Sequence, residues 1–233
     1  ERPADLDVTG VQIDRFQSYQ TNTEYRGARC EETLSKVYAC HYPTVQPKTG
    51  RGVKRSPLHA ALHSAGAVWR DVSGWEGAEF YAGDAAAAEA AAAAKVDTFG
   101  RPACWAQWEA EHSAVRERAA LIDMSFMAKF LVQGADAKRL LNWCATADVS
   151  EEGQIYYTQM LNAAGKIEAD VTVSHWEGGR FLVVATDTMH RRTEHWLRRQ
   201  IEATGSNAVV TDVTGGFAQL NLQGPLSRQI LQS

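Results

Sequence analysis

The stretch Gln154–Leu161 (QIYYTQML), followed by Asn162-Ala163-Ala164-Gly165 and then Ile167–Trp176 (IEADVTVSHW), decides the fold of this chain. Both outer runs are rich in β-branched and aromatic residues, and the residues between them carry turn chemistry, so the pattern predicts a β-hairpin. Arg180–Thr186, set off by Glu177-Gly178-Gly179, extends it into a meander. Side chains alternate along a strand. Ile167, Ala169, Val171, Val173 and His175 therefore share one face, the predicted core face. Glu168, Asp170, Thr172, Ser174 and Trp176 share the other. A mid-strand Asp is disfavoured by strand propensity. It reads either as the wet face of a half-buried sheet or as part of a binding face. A two- or four-residue loop within 162–165 sets Tyr157 directly opposite Asp170 and Ile155 opposite Thr172, with the first pair about 5 Å apart at Cβ. A three-residue loop slips that register. A carboxylate beside a buried aromatic wall suits a planar ligand bearing amine nitrogens, and desolvation there would equip it for proton transfer.

Outward from the hairpin, Lys129–Gln133, Ala208–Asp212 and Phe217–Gln223 read as further strands. Helices are predicted over Trp105–Ala120, Asp136–Trp143 and Thr188–Ala203, and a last one opens after Gly224-Pro225. Strands and helices come in runs, which predicts an α+β fold with antiparallel pairing. Upstream, Asp84 caps a run of alanines from Ala85 to Lys95 broken only by Glu89. Residues 83–98 read as a linker or inserted helix dividing a segment 1–82 from a unit 99–233. The first segment shows short helical stretches and loops. Ser56 and Pro57 open a helix to His63; Gly66, Gly74 and Gly77 break the pattern among Trp69, Trp75, Phe80 and Tyr81. Such a piece is expected to pack on a neighbour rather than build its own core.

Composition narrows the class. The 233 residues carry 24 Lys plus Arg against 28 Asp plus Glu, a net charge of −4, which argues against a nucleic-acid binder. No run of about 18 apolar residues exists, so no membrane span is predicted. Cys30, Cys40, Cys104 and Cys144 form no C-x-x-C pair and read as free thiols of a reducing compartment. No metal site is predicted: His59 and His63 share a helix face, but no third ligand is evident. His190, Glu194, His195 and Arg191, Arg192, Arg198 and Arg199 read as a solvated helix face in preference to a phosphate or polyglutamate site. Trp105, Trp108 and Met124 read as core. The chain begins at Glu1 and ends inside a predicted helix, so it reads as an interior piece of something longer.

Several motifs resemble a known family. Asp123-Met124-Ser125-Phe126-Met127, Tyr157–Asn162, Gly165–Thr172 and Leu222-Gln223-Gly224-Pro225 with Ser227-Arg228 are similar to the folate-binding domain of aminomethyltransferases, the glycine-cleavage T-protein type. Tyr38–Pro43, Arg55–His59, Gly74-Trp75-Glu76, Glu111-His112 and Val115-Arg116 resemble the region between the flavin and folate domains of dimethylglycine and sarcosine dehydrogenases. The resemblance implies a fold, an antiparallel-sheet folate-binding domain represented by its first half over 99–233, with 1–82 as interdomain segment. It implies an activity, oxidative demethylation of an N-methyl glycine, with the one-carbon unit captured as 5,10-methylenetetrahydrofolate. Its cofactors would be tetrahydrofolate here and FAD on a domain outside this chain. Asp170 would act as general base, with Tyr157, Thr172, Met127 and Leu131 shaping the folate pocket. An electron-acceptor protein, a larger assembly and a mitochondrial-matrix location follow from the resemblance as well. Ala169 stands where T proteins carry a second Asp, as in the dehydrogenase branch. A non-catalytic subunit reusing the fold, like the regulatory subunit of pyruvate dehydrogenase phosphatase, is the competing expectation; a stand-alone folate-binding repair or iron–sulfur assembly protein is a third.

Overall fold

The computed structural model describes residue 11 and residues 13–233, so residues 1–10 and 12 of the predicted first segment lie outside the described residues. In chain order the regular elements are α1 (Thr23–Ser35), α2 (His59–Ser64), β1 (Ala67–Val72), β2 (Trp75–Tyr81), α3 (Ala85–Ala93), α4 (Trp105–Glu117), β3 (Ala120–Asp123), β4 (Ala128–Gln133), α5 (Ala137–Cys144), β5 (Ile155–Leu161), β6 (Ile167–Trp176), β7 (Arg180–Ala185), α6 (His190–Thr204), β8 (Val209–Asp212), β9 (Leu220–Gln223) and α7 (Ser227–Gln232). Every strand ladder is antiparallel, and the fold is α+β. The chain divides into two compact units.

The first unit comprises the described residues through Gln20 together with Met127–Phe217. It is built on a five-stranded sheet in the order β5-β6-β7-β4-β8. One face carries Phe130, Val132, Val171, Val173, Phe181 and Val183, all buried. Leu140 and Leu141 of α5 and Leu197 of α6 pack into the same cluster. The period-2 apolar pattern of the strands thus meets the one-sided apolar stripe of the helices. Each such side chain contributes roughly 1.5–3 kcal/mol by leaving water. Gly134, at φ 128°, lets β4 turn into α5, and a Cβ there would lie 2.5 Å from the Asn207 carbonyl oxygen.

The face of α6 that reads as solvated in sequence is partly internal. His190 and Glu194 are buried. His190 Nε2 sits 2.7 Å from Asp212 Oδ2, while Arg191 and Arg198 both donate to the Glu194 carboxylate, at 2.7 and 2.9 Å. The Asp212 carboxyl is partly buried, yet hydrogen bonds from His190 and Thr214 hold it well below the usual carboxylate range. Charged residues can line a helix face that packs inward when each finds a partner; the sequence shows the charges but not the partners.

The second unit comprises Thr21–Phe126 and Ala218–Ser233. Its hairpin β1–β2 is absent from the sequence reading. Val72 pairs with Trp75 around the two-residue turn Ser73-Gly74, with φ of 50° and 85°. Two consecutive positive φ values mark the primed turn that matches the strand twist. Gly74 therefore makes the hairpin rather than interrupting an element. Val68 and Phe80 from this hairpin pack with Ala88 of the alanine helix α3, with Cys104 and Trp108 against them, so this small cluster joins the hairpin to residues that follow it in the chain. Asp84 Oδ1 accepts from the Ala87 amide at 2.8 Å, as its capping position predicts. Trp105, read as core, is 38% exposed with Arg101 lying over its ring. The remaining ladder, β3–β9, pairs Ala120–Asp123 with Leu220–Gln223.

Candidate functional site

The hairpin β5–β6 forms where the sequence places it, with a different register. Asn162 N donates to Lys166 O at 2.9 Å, closing a three-residue loop with Gly165 at φ 73°. Leu161 then faces Ile167. One bulge follows, leaving Glu168 as the extra residue, and Met160 faces Ala169. From there Gln159 is opposite Asp170, Tyr157 opposite Thr172, and Ile155 opposite Ser174. The expected direct pairs Tyr157–Asp170 and Ile155–Thr172 are thus corrected by one pleat. An odd loop slips the register by one, and the bulge slips it once more, which restores the shared face of Tyr157, Asp170 and Thr172. The bulge also moves Glu168 off the Asp170 face: Asn162 and Arg192 of α6 hold its carboxylate. Ile167, on the turn side of the bulge, is exposed rather than core.

Tyr157 still reaches Asp170, along the diagonal. Its phenol oxygen donates to Asp170 Oδ2 at 2.9 Å. Gln159 Nε2 donates to Asp170 Oδ1 at 3.0 Å. The negative carboxylate beside it pushes the Tyr157 phenol up from its ordinary value. Strand pairing extends this face across the sheet. One row runs Tyr157, Thr172, Val184, Lys129; the next runs Ile155, Ser174, Leu182, Leu131, Thr211. Asp170, Tyr157, Thr172 and Leu131 thus lie on one face, polar over β5–β6 and, the buried Lys129 apart, apolar over β7–β4. Met127 immediately precedes β4, and its carbonyl accepts from the buried Lys129 ammonium at 2.7 Å.

The expected buried wall is not present. Tyr157 is 72% exposed, and Asp170 is exposed too. β5 is the edge strand of the sheet, so Tyr157 has a strand on one side only. Thr172, Leu131 and Met127 are half-buried. The carboxylate is organised by two donors rather than by desolvation. Such a carboxylate keeps lone pairs facing outward and can accept a proton from an amine nitrogen set over the face. Gln159 is the participant that the sequence reading missed. Its signal was present: it stands two residues beyond Tyr157 on the same strand, hence on the same face.

His59 stacks on Trp69 with ring centroids 4.2 Å apart, and its ring is 6.4 Å from that of His63. Burial and the nearby Arg55 lower the His59 ring's affinity for a proton. Among the described residues no group of three metal-ligating side chains converges. All four cysteines are free, and burial pushes the Cys144 thiol up to about 12.

With this geometry established, the relatives can be placed on it. Residues 58–233 match the GCVT N-terminal domain, and residues 3–56 match the FAD dependent oxidoreductase central domain. The chain belongs to the GCVT N-terminal domain family, in the branch where a flavin-oxidoreductase segment precedes that domain. It is 38% identical over 97% of its length to the 4-methylaminobutanoate oxidase (formaldehyde-forming) of Paenarthrobacter nicotinovorans. It is 28% identical over 97% of its length to the mitochondrial sarcosine dehydrogenase of Homo sapiens. The chain spans 27% and 28% of those two proteins. The aminomethyltransferase T of the Bartonella henselae glycine cleavage system has the same fold: TM-score 0.57 at 23% identity, over 78% of this chain and 43% of that one.

Proposed function

We propose that the chain is the interdomain segment (1–82), a connecting helix region (83–98) and the first half of the folate domain (99–233) of a flavin- and tetrahydrofolate-dependent oxidative demethylase. Its substrate is an N-methyl glycine, dimethylglycine or sarcosine, and its product 5,10-methylenetetrahydrofolate. The observation that carries this reading is the Asp170 carboxylate, held by Tyr157 and Gln159 on a face that becomes apolar toward Leu182, Val184 and Leu131. A flat heterocycle with N–H groups fits that set of residues: Leu182, Val184 and Leu131 would hold its ring, and Asp170 would accept from its nitrogens. Tetrahydrofolate, when bound, supplies the nucleophilic nitrogens. Asp170 accepts the proton released there as general base, Tyr157 and Thr172 orient the ring edge, and Met127 and Leu131 wall its plane.

The flavin is another matter. The glycine pair Gly215-Gly216 lies in a 3-10 turn that leads into extended chain, not at a strand-to-helix turn, so these residues do not form a dinucleotide cradle. We assign FAD to a part of the protein outside this chain and derive no step through it. An electron-acceptor protein is the partner such chemistry calls for. A mitochondrial-matrix location draws support from the two mitochondrial sarcosine dehydrogenases among the relatives, and the bacterial oxidase shows that the same segment also serves elsewhere. A second reading, a regulatory subunit that reuses the fold, is favoured by the 28% identity over 96% of the chain to the mouse pyruvate dehydrogenase phosphatase regulatory subunit. A doubly hydrogen-bonded carboxylate on the open face favours the enzyme.

Asp170→Asn tests the choice. It should leave amine oxidation unchanged and lower methylenetetrahydrofolate formation by about 10²-fold or more, the usual share of a general base, with free formaldehyde rising in its place. An unchanged ratio of methylenetetrahydrofolate to formaldehyde would remove Asp170 from the mechanism.

A further inference from the structure

We infer that Gln159 is a positioning residue for Asp170, setting the orientation in which that carboxylate meets its proton donor. The inference rests on the folate-site reading above and deepens it. Gln159 and Asp170 are directly opposed across β5–β6, the arrangement that brings side chains on one face closest. The amide nitrogen of Gln159 lies 3.0 Å from Oδ1, and the Tyr157 phenol lies 2.9 Å from Oδ2. Each carboxylate oxygen thus accepts one bond from β5 and retains a lone-pair direction for the open face. A short Asp side chain with both oxygens tied to one strand cannot rotate about its terminal bond without breaking both bonds. Two donors on alternate residues of the same strand form a clamp, and the second donor is the one that the bulge at Glu168 brings into register. Without the bulge the same three-residue loop would set Gln159 opposite Ala169 and Tyr157 opposite Val171, leaving Asp170 opposite Thr158.

Gln159 is half-exposed and makes no contribution to the buried cluster, so its variants should fold. Gln159→Leu should lower methylenetetrahydrofolate formation about tenfold, the size of one hydrogen bond to a charged group, and leave amine oxidation unchanged. The decisive measurement is the cycle with Asp170→Asn. A residue acting through Asp170 adds no further loss once Asp170 is gone, so Gln159→Leu in that background should be silent. Losses that multiply in the double variant would overturn the positioning role, as would a Gln159→Leu single variant with wild-type product yield. Gln159→Glu places a second carboxylate against the first and should cost more than Gln159→Leu at neutral pH; a cost smaller than that of Gln159→Leu also counts against the role. A readout free of turnover comes from the Tyr157 phenol, followed by ultraviolet absorbance against a Tyr157→Phe blank. Asp170→Asn should bring its titration down and Gln159→Leu should move it further up, since the carboxylate raises it and the amide lowers it. No shift in either variant would deny the clamp itself. If the phenol shifts as stated but Asp170→Asn leaves the product ratio intact, the clamp stands and the folate reading is what fails.

Discussion

The hairpins β1–β2 and β5–β6 are built by different turns and corrected by the same device. In β1–β2 a two-residue turn, Ser73-Gly74, sets the pairing. In β5–β6 a three-residue loop does so. Each then carries one bulge, between Val68 and Trp69 opposite β2 in the first and next to Met160 in the second. In both the extra residue is a glutamate: Glu79 and Glu168. Each is held by a cation downstream. Lys95, just past α3, lies 3.1 Å from Glu79, and Arg192 of α6 meets Glu168. A bulge aims its extra side chain out of the alternation, and here both aims end on an ion pair. The difference lies on the far side. β5–β6 presents Tyr157, Gln159 and Asp170 to the open face, whereas β1–β2 uses Val68 and Phe80 to build a small core. A shared construction thus presents an open polar face in one unit and serves packing in the other.

The largest effect should come from the core beneath the site hairpin. Met160 is fully buried opposite Ala169, beside the bulge. Met160→Ala should cost about 3 kcal/mol in urea unfolding, within the usual range for emptying a packed core position. A cost under about 1 kcal/mol would mean that the bulge lets β6 collapse into the space, and the comparison would then rest on the turns alone.

The glutamates give the next step down. Glu168 receives Asn162 at 3.0 Å as well as a guanidinium nitrogen of Arg192, and its side chain is 11% exposed. Glu79 has Lys95 as its cation and a side chain 6% exposed. Glu168→Ala should cost about 2 kcal/mol, a partly buried charge-assisted network, and Glu79→Ala about 1 kcal/mol, nearer the worth of a single lysine bridge. Equal costs in thermal or urea unfolding would show that the bulge rather than its partners carries the energy.

How far the sequence discloses this can be followed residue by residue. The strands β5, β6 and β7 and the helices α5 and α6 were legible because period-2 and one-sided apolar patterns are local. The face shared by Tyr157, Asp170 and Thr172 was legible for the same reason. The pairing was not. The number of residues in the loop depends on whether Asn162 turns with Ala163–Gly165 or ahead of them, and the bulged Glu168 meets Arg192, a partner more than twenty residues away. Gln159 as partner follows from that pairing and was hidden with it. Hairpin β1–β2 was hidden by its own turn signal, because Gly66, Gly74 and Gly77 together look like breakers. Only the Ser-Gly dipeptide between Val72 and Trp75 marks a two-residue turn. Burial of His190 and Glu194 was illegible because charge on a helix says nothing of what faces it.

The smallest effect separates the two turns directly. Ser73 sits at φ 50°, the single non-glycine residue at positive φ among the described residues. Asparagine tolerates that region better than serine, and Asn-Gly is the favoured pair for a primed turn. Ser73→Asn should therefore stabilise the protein by about 0.5 kcal/mol, a rise of about 1–2 °C in Tm. In the loop of β5–β6 the positive φ falls on Gly165, so Ala163→Asn gains nothing from the same substitution and should leave Tm within error. Calorimetry on the two variants side by side makes the contrast. A gain at Ala163 equal to that at Ser73 would mean that asparagine acts through the unfolded chain or the surface, and that the two turns do not differ in the way their backbone angles require.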